Sequence, residues 1–168
     1  TTDNLRLFEA CCALRAHGLG HDHIQARTGY NAKMDELSAA VALHGLARLP
    51  DVLARRAGYA HRIREVITSV GWTRQTFPKN TVTNGQNLGV ITPLAASETR
   101  ARFARHGVEA RQYFHPPMHL LRRAPKTPAL PATERLVSHH LCLPLHSRMS
   151  NEVLQRIESA VRHIADDT

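Results

Sequence analysis

The strongest constraint on this chain is a long amphipathic stretch near its middle. After Pro50-Asp51, apolar side chains recur at Leu53, Ala57, Ala60, Ile63, Ile67 and Val70, and Gly71 follows. Such a stripe predicts a long helix buried along one side and ended by the glycine. It also divides the chain. Residues 1–70 read as helices and loop. Residues 71–168 alternate strand and helix, the pattern of a compact α+β lobe. The long helix is a natural bridge between two lobes.

Upstream, Leu5, Phe8 and Cys12 with Leu7, Cys11 and Leu14 have helical spacing over 4–16, with Asp3 placed to cap the start and Gly18 following the end. Residues 19–32 form a polar loop. A second helix is predicted over 33–48, with Met34, Leu37, Val41 and Leu46 near one face and Ala39, Ala40 and Ala42 keeping it slim. Pro50 separates it from the long helix. Downstream, Asn84-Gly85 signals a tight turn. Residues 87–92 read as a strand, and 98–106 as a helix capped by Ser97 and closed by Gly107. Residues 108–114 read as a strand broken by Pro116-Pro117. A helix over 132–140, an extended piece over 141–145, and a last helix over 151–164 capped by Ser150 complete the order.

Composition narrows the function classes. No apolar run approaches the roughly 20 residues that a membrane span needs, and no charged-then-apolar leader opens the chain. Cys11 and Cys12 are adjacent on a predicted helix and point to different faces, so a reduced, cytoplasmic protein is the simplest expectation. A net charge of +8 invites a nucleic-acid reading. The basic residues are scattered through the helices, however, and at 5% aromatic content stacking platforms are scarce. A basic half whose charge balance lies on a missing acidic half explains the same number.

Two constellations carry chemistry. The turn Gly29-Tyr30-Asn31 leads toward a helix start, where outward amides beside an Asn side chain can hold a phosphate; the plainer reading is that Asn31 caps the helix. The run Arg111-Gln112-Tyr113-Phe114-His115-Pro116-Pro117-Met118-His119 delivers two rings, a hydroxyl and two imidazoles to a proline-stiffened loop, which suits a polyol or sugar. A packed loop with one satisfied histidine is the alternative. His115 and His119 have zinc-helix spacing, but the two prolines between them break a helix. His21-Asp22-His23 and His139-His140 lack ligand spacing and read as surface or interface positions. Cys142 reads as a core residue.

These motifs resemble the nucleotide-sugar aminotransferases of the DegT/StrS type, pyridoxal-phosphate (PLP) enzymes of the aspartate-aminotransferase fold. Thr1-Thr2-Asp3-Asn4 is similar to the family's Thr-Thr-Asp-Asp turn, and Arg15-Ala16-His17-Gly18 to its Arg-Asn-His-Gly. Gly29 through Leu37 followed by Ala39-Ala40 is the strongest match. Arg55-Arg56 sits where the linking helix has a basic pair. Gly107 through Arg111, Tyr113 through His119, and Leu143-Pro144-Leu145-His146 follow in order.

The resemblance implies an α/β chain, the C-terminal part of a fold-type-I transferase. Residues 1–32 would end the large PLP domain, 33–70 would supply an interface helix and the linking helix, and 71–168 would be the small domain. Asn31, with Tyr30 beside it, would reach the PLP phosphate of a neighbouring subunit. Tyr113, His115 and His119 would line the sugar pocket, with a dTDP-4-keto-6-deoxyhexose as the closest substrate type. The family's cofactor-anchoring lysine would precede Thr1, and Lys33, Lys79 and Lys126 are the only lysines here. No catalytic residue is therefore expected within this chain. Its partner would be an N-terminal half carrying that lysine, or a homodimer mate. The competing expectations are a non-catalytic relic kept for binding and, less favoured, a basic nucleic-acid-binding module.

Overall fold

The structure is a computed structural model, and it describes all residues except 21–23, 25–26 and 122–127. The His21-Asp22-His23 cluster and Lys126 lie outside the described residues. The chain forms two compact units, Thr1–Leu49 and Pro50–Thr168.

The first unit holds α1 (Leu5–Arg15) and the start of α2 (Glu36–Ser69). The cap of α1 is Asn4 rather than Asp3: the Asn4 carboxamide oxygen accepts from the Leu7 amide at 3.1 Å. α2 begins three residues later than the sequence pattern predicts. Asp35 caps it, accepting from the Ser38 amide at 2.8 Å and the Ser38 hydroxyl at 2.7 Å. Those bonds, the amide first, hold the Asp35 carboxyl below its ordinary value.

The predicted break at Pro50 is absent, and α2 runs unbroken through it. Proline forgoes one backbone bond but its fixed φ is helical, and the flanking Ala47, Leu49, Leu53 and Ala54 favour helix. The merged helix is also long and apolar enough, by length and composition, to cross a membrane, which corrects the reading that no run approaches that length. Further along, α2 carries Arg55 and Arg56 and gives Ala60, Ile63, Val66 and Ile67 to a protein core, as a packed helix does.

The second unit is built on a three-stranded antiparallel sheet in the order β1 (Thr73–Arg74), β2 (Leu88–Ile91), β3 (His140–Leu143). Leu88 stands opposite Leu143, and Val90 opposite Leu141. These four side chains belong to the core with Phe103 of α3 (Ala96–Arg105) and with Leu154, Ile157, Val161 and Ile164 of α5 (Asn151–Asp166). The α5 positions fall at helical spacing, which is why that helix was readable. Trp72 meets Phe103 edge to face at 6.2 Å. Thr92 and Thr99, the buried polar pair, satisfy each other at 3.1 Å.

Two further expectations change. Ser97 lies inside α3, whose N-cap is Ala95 without a side-chain bond. Residues 108–114 do not make a strand. Only Arg111 pairs with the sheet, exchanging backbone bonds of 2.9 and 2.7 Å with Cys142, and Phe114 turns into the left-handed region at φ 61°. The helix near residue 132 is α4 (Pro131–His139), and a 3-10 turn spans Met118–Leu120.

Candidate functional site

In the first unit, two glycines allow one chain crossing. A Cβ on Gly29 would overlap the backbone of His17 and Gly18, and one on Gly18 would overlap the carbonyl of Arg27. Gly18 also needs its φ of 78°. The crossing lets backbone bonds lock the next residues: the Tyr30 amide donates to Leu14 at 2.7 Å, His17 donates to Tyr30 at 2.9 Å, and Ala32 donates to Arg15 at 2.9 Å. Tyr30 is left 73% exposed, and Asn31 is exposed beside it. Asn31 is bridged to Ala16 through its backbone and does not cap α2, so the capping reading is set aside. Its side chain makes no hydrogen bond among the described residues, which leaves an amide donor on a rigid turn.

In the second unit, Arg111 and Tyr113 stand two residues apart on an extended segment, so they share a side. Both line two adjoining cavities. One, of about 500 Å³, reaches Ser97, Arg100 and Gln112. The other, of about 310 Å³, reaches Asn87, Cys142 and His146. The Arg111 guanidinium is raised above its ordinary value, first by hydrogen bonding to Tyr113 and then by Glu109, which it meets at 2.9 and 3.0 Å. Gln112 donates its amide to the Val137 carbonyl at 2.7 Å and ties the segment to α4.

His115 and His119 are placed differently. His115 is exposed and borders neither cavity. The His119 side chain is only 8% exposed and meets Glu134 of α4 at 3.0 Å. Glu134 also accepts from the Leu130 amide at 3.2 Å. These bonds, His119 first, hold the Glu134 carboxyl below its ordinary value. His119 therefore anchors the loop that carries Tyr113 and His115. Tyr30 and Asn31 belong to the first unit and the other three residues to the second.

Sequence reasoning quoted Arg111 and His146 within motifs but gave them no site role, and it did not single out Asn87. The spacing of Arg111 and Tyr113 was a usable signal for the first. The other two join the cavity only through the fold. Burial pushes the Cys142 thiol up and the neighbouring His140 imidazole down, so this pair, 3.8 Å apart, stays neutral and is no activated nucleophile. The site offers a guanidinium, a phenol and amides. It is equipped to bind and orient polar ligands.

A sequence model of the DegT/DnrJ/EryC1/StrS aminotransferase family matches residues 1–162. Protein Rv3402c of Mycobacterium tuberculosis is 26% identical over 174 residues, covering 94% of this chain and 40% of that protein. A DegT DnrJ EryC1 StrS aminotransferase from Brucella abortus superposes with a TM-score of 0.86 at 25% identity, over 98% of this chain and 45% of that one. DesV of S. venezuelae gives 0.89 at 24% identity, over 99% and 46%. DesI, whose crystal structure was analysed in the presence of its TDP-sugar product, gives 0.83 at 26% identity, over 98% and 44%. The chain thus spans less than half the length of the relatives it matches.

Proposed function

The chain belongs to the DegT/DnrJ/EryC1/StrS aminotransferase family, and from that premise we propose that it is the C-terminal part of a PLP-dependent sugar aminotransferase. Its substrate would be a nucleotide-linked keto-deoxysugar of the TDP class, with an amino acid, glutamate first, as nitrogen donor. The observation that carries this reading is the locked Gly18–Gly29 crossing, which leaves Asn31 exposed on a turn with no hydrogen bond to its side chain among the described residues.

The residues present fit the phosphate end of PLP. Asn31 can donate a hydrogen bond to a phosphate oxygen, and Tyr30 flanks it. Bound PLP supplies the electron sink that amino transfer needs. The work of this chain is binding and orientation. Arg111 and Tyr113 would hold hydroxyl or phosphate oxygens of the sugar nucleotide, and His115 would contact it from the loop. His119, through Glu134, keeps that loop in place. The lysine that anchors the cofactor and moves the proton would come from an N-terminal half, as a continuous or a separate polypeptide, with a second subunit completing the phosphate site.

Native mass spectrometry of the untagged protein from its own source tests this. A complex with a PLP-carrying polypeptide is expected, and it should transfer nitrogen from glutamate to a TDP-4-keto-6-deoxyhexose. In that complex, Asn31→Ala should weaken PLP retention, and Tyr113→Phe should raise KM more than it lowers kcat. A cofactor-free chain in every preparation would sink the proposal and favour a binding lobe.

A further inference from the structure

The second unit contains another cleft, separate from Tyr113 and its neighbours. It measures about 590 Å³ and lies among α2, β1 and the loop that contains Thr83 and Gly85. Ala57 and Ala60 form an apolar floor. Arg64 enters from α2 and Arg74 from β1. Neither guanidinium has a side-chain hydrogen bond or ion pair among the described residues. Arg64 instead lies 5.3 Å above the Phe77 ring. The carboxylate lining the cleft, Glu65, sits 3.5 Å from His61 on its own helix face.

Two like charges therefore face one cleft, Arg64 half-buried and Arg74 exposed, and neither is paired with the Glu65 carboxylate, which sits against His61. Burial and then the charge of Arg74 act against protonated Arg64. An anion between them would relieve that repulsion. The Thr83 hydroxyl accepts from the Gly85 amide at 3.2 Å, which leaves its own proton to donate. Two guanidinium forks and a hydroxyl match the charge and three oxygens of a phosphate monoester better than a carboxylate. The volume exceeds a bare phosphate and falls in the range of small-molecule sites.

We propose that this cleft binds a small organic phosphate, its phosphate between Arg64 and Arg74 and its body on the Ala57–Ala60 floor. The proposal is independent of the aminotransferase reading, since no residue assigned to PLP or sugar takes part.

Calorimetric titration of the full chain with phenyl phosphate and with inorganic phosphate tests it. One saturable site is expected, with phenyl phosphate binding tighter by about fivefold or more because its ring covers the floor. Arg64→Gln and Arg74→Gln should each weaken binding about tenfold or more, while Arg162→Gln, on an exposed face of α5, should stay within about twofold. An equal loss in Arg162→Gln would reduce the effect to overall charge and overturn the site. Equal affinity for the two phosphates would overturn the organic occupant. Should a variant misfold, the Ser69 and Gly85 backbone amides of the unaltered protein report directly: shifts on adding phenyl phosphate support the cleft, and unmoved amides refute it.

Discussion

Gly29 owes its role to an atom it lacks. Its φ is ordinary, so conformational freedom is not the reason for glycine here; a Cβ would enter the backbone of the preceding turn. Gly29→Ala must therefore push Gly18 and Gly29 apart and break the bonds that fix Tyr30. The cost should be about 1–3 kcal/mol, the range for overpacking a tight contact. Hydrogen exchange at the Tyr30 and His17 amides checks this: both should lose protection, while amides of β2 and β3 stay protected. His119 gives a second case at this scale. The Glu134 carboxyl is depressed, so its contribution is fully present above the ordinary value of 4.5 and is lost as pH falls through the lower folded value. The His119–Glu134 tether should hold at neutral pH and open below 4.5, followed by the His119 ring resonances. Glu134→Gln should abolish that acid transition, and an unchanged titration would show that another group drives it.

Among the elements, α5 carries the clearest division between local and packing energy. The Ser150 hydroxyl accepts from the Val153 amide at 3.3 Å, and Ile157 is fully enclosed. Ser150→Ala should cost about 1 kcal/mol, as cap removals do. Ile157→Ala should cost about 2–5 kcal/mol through lost burial and the cavity left behind. Urea unfolding with unchanged m-values would rank them, and a larger effect at Ser150 would contradict this picture. The same contrast explains what the sequence revealed. α5, β2 and β3 were legible because period and burial agree along their whole length. Residues 108–114 alternate too, but a strand needs a partner, and only Arg111 meets one. The start of α2 was misplaced because Asn31 and Asp35 are both good caps, and nothing local says which will bond to the helix. At the site, Tyr113 could be found from its motif. The pairing of His119 with Glu134 could not, because fifteen residues separate them and tertiary packing alone joins them.

For the whole molecule, the deciding fact is an apolar surface that the described residues leave exposed. α1 has no buried residue, and the four buried residues of α2 all lie at or beyond Ala60. Leu37 and Val41, one turn apart, are 77% and 66% exposed, and Met34, Leu43 and Leu46 are exposed as well. An isolated protein does not keep such a patch in water; contiguous apolar surface of this kind marks an interface. The Ala-rich flank beside it permits close approach of another helix or sheet. If the cover is the N-terminal half or a second subunit, the chain alone must find a substitute, and the nearest one is itself. Light scattering after size exclusion should give a mass above the 18.7 kDa of one chain, rising with concentration as mass action requires. Leu37→Glu with Val41→Glu puts two charges in the patch and should return the chain to a monomer while the fold of Pro50–Thr168 survives. A sharp monomer at high concentration in the unaltered chain would mean that these side chains are covered from within. The exposed helix would then be no interface, and the case for a missing partner would lose its physical support.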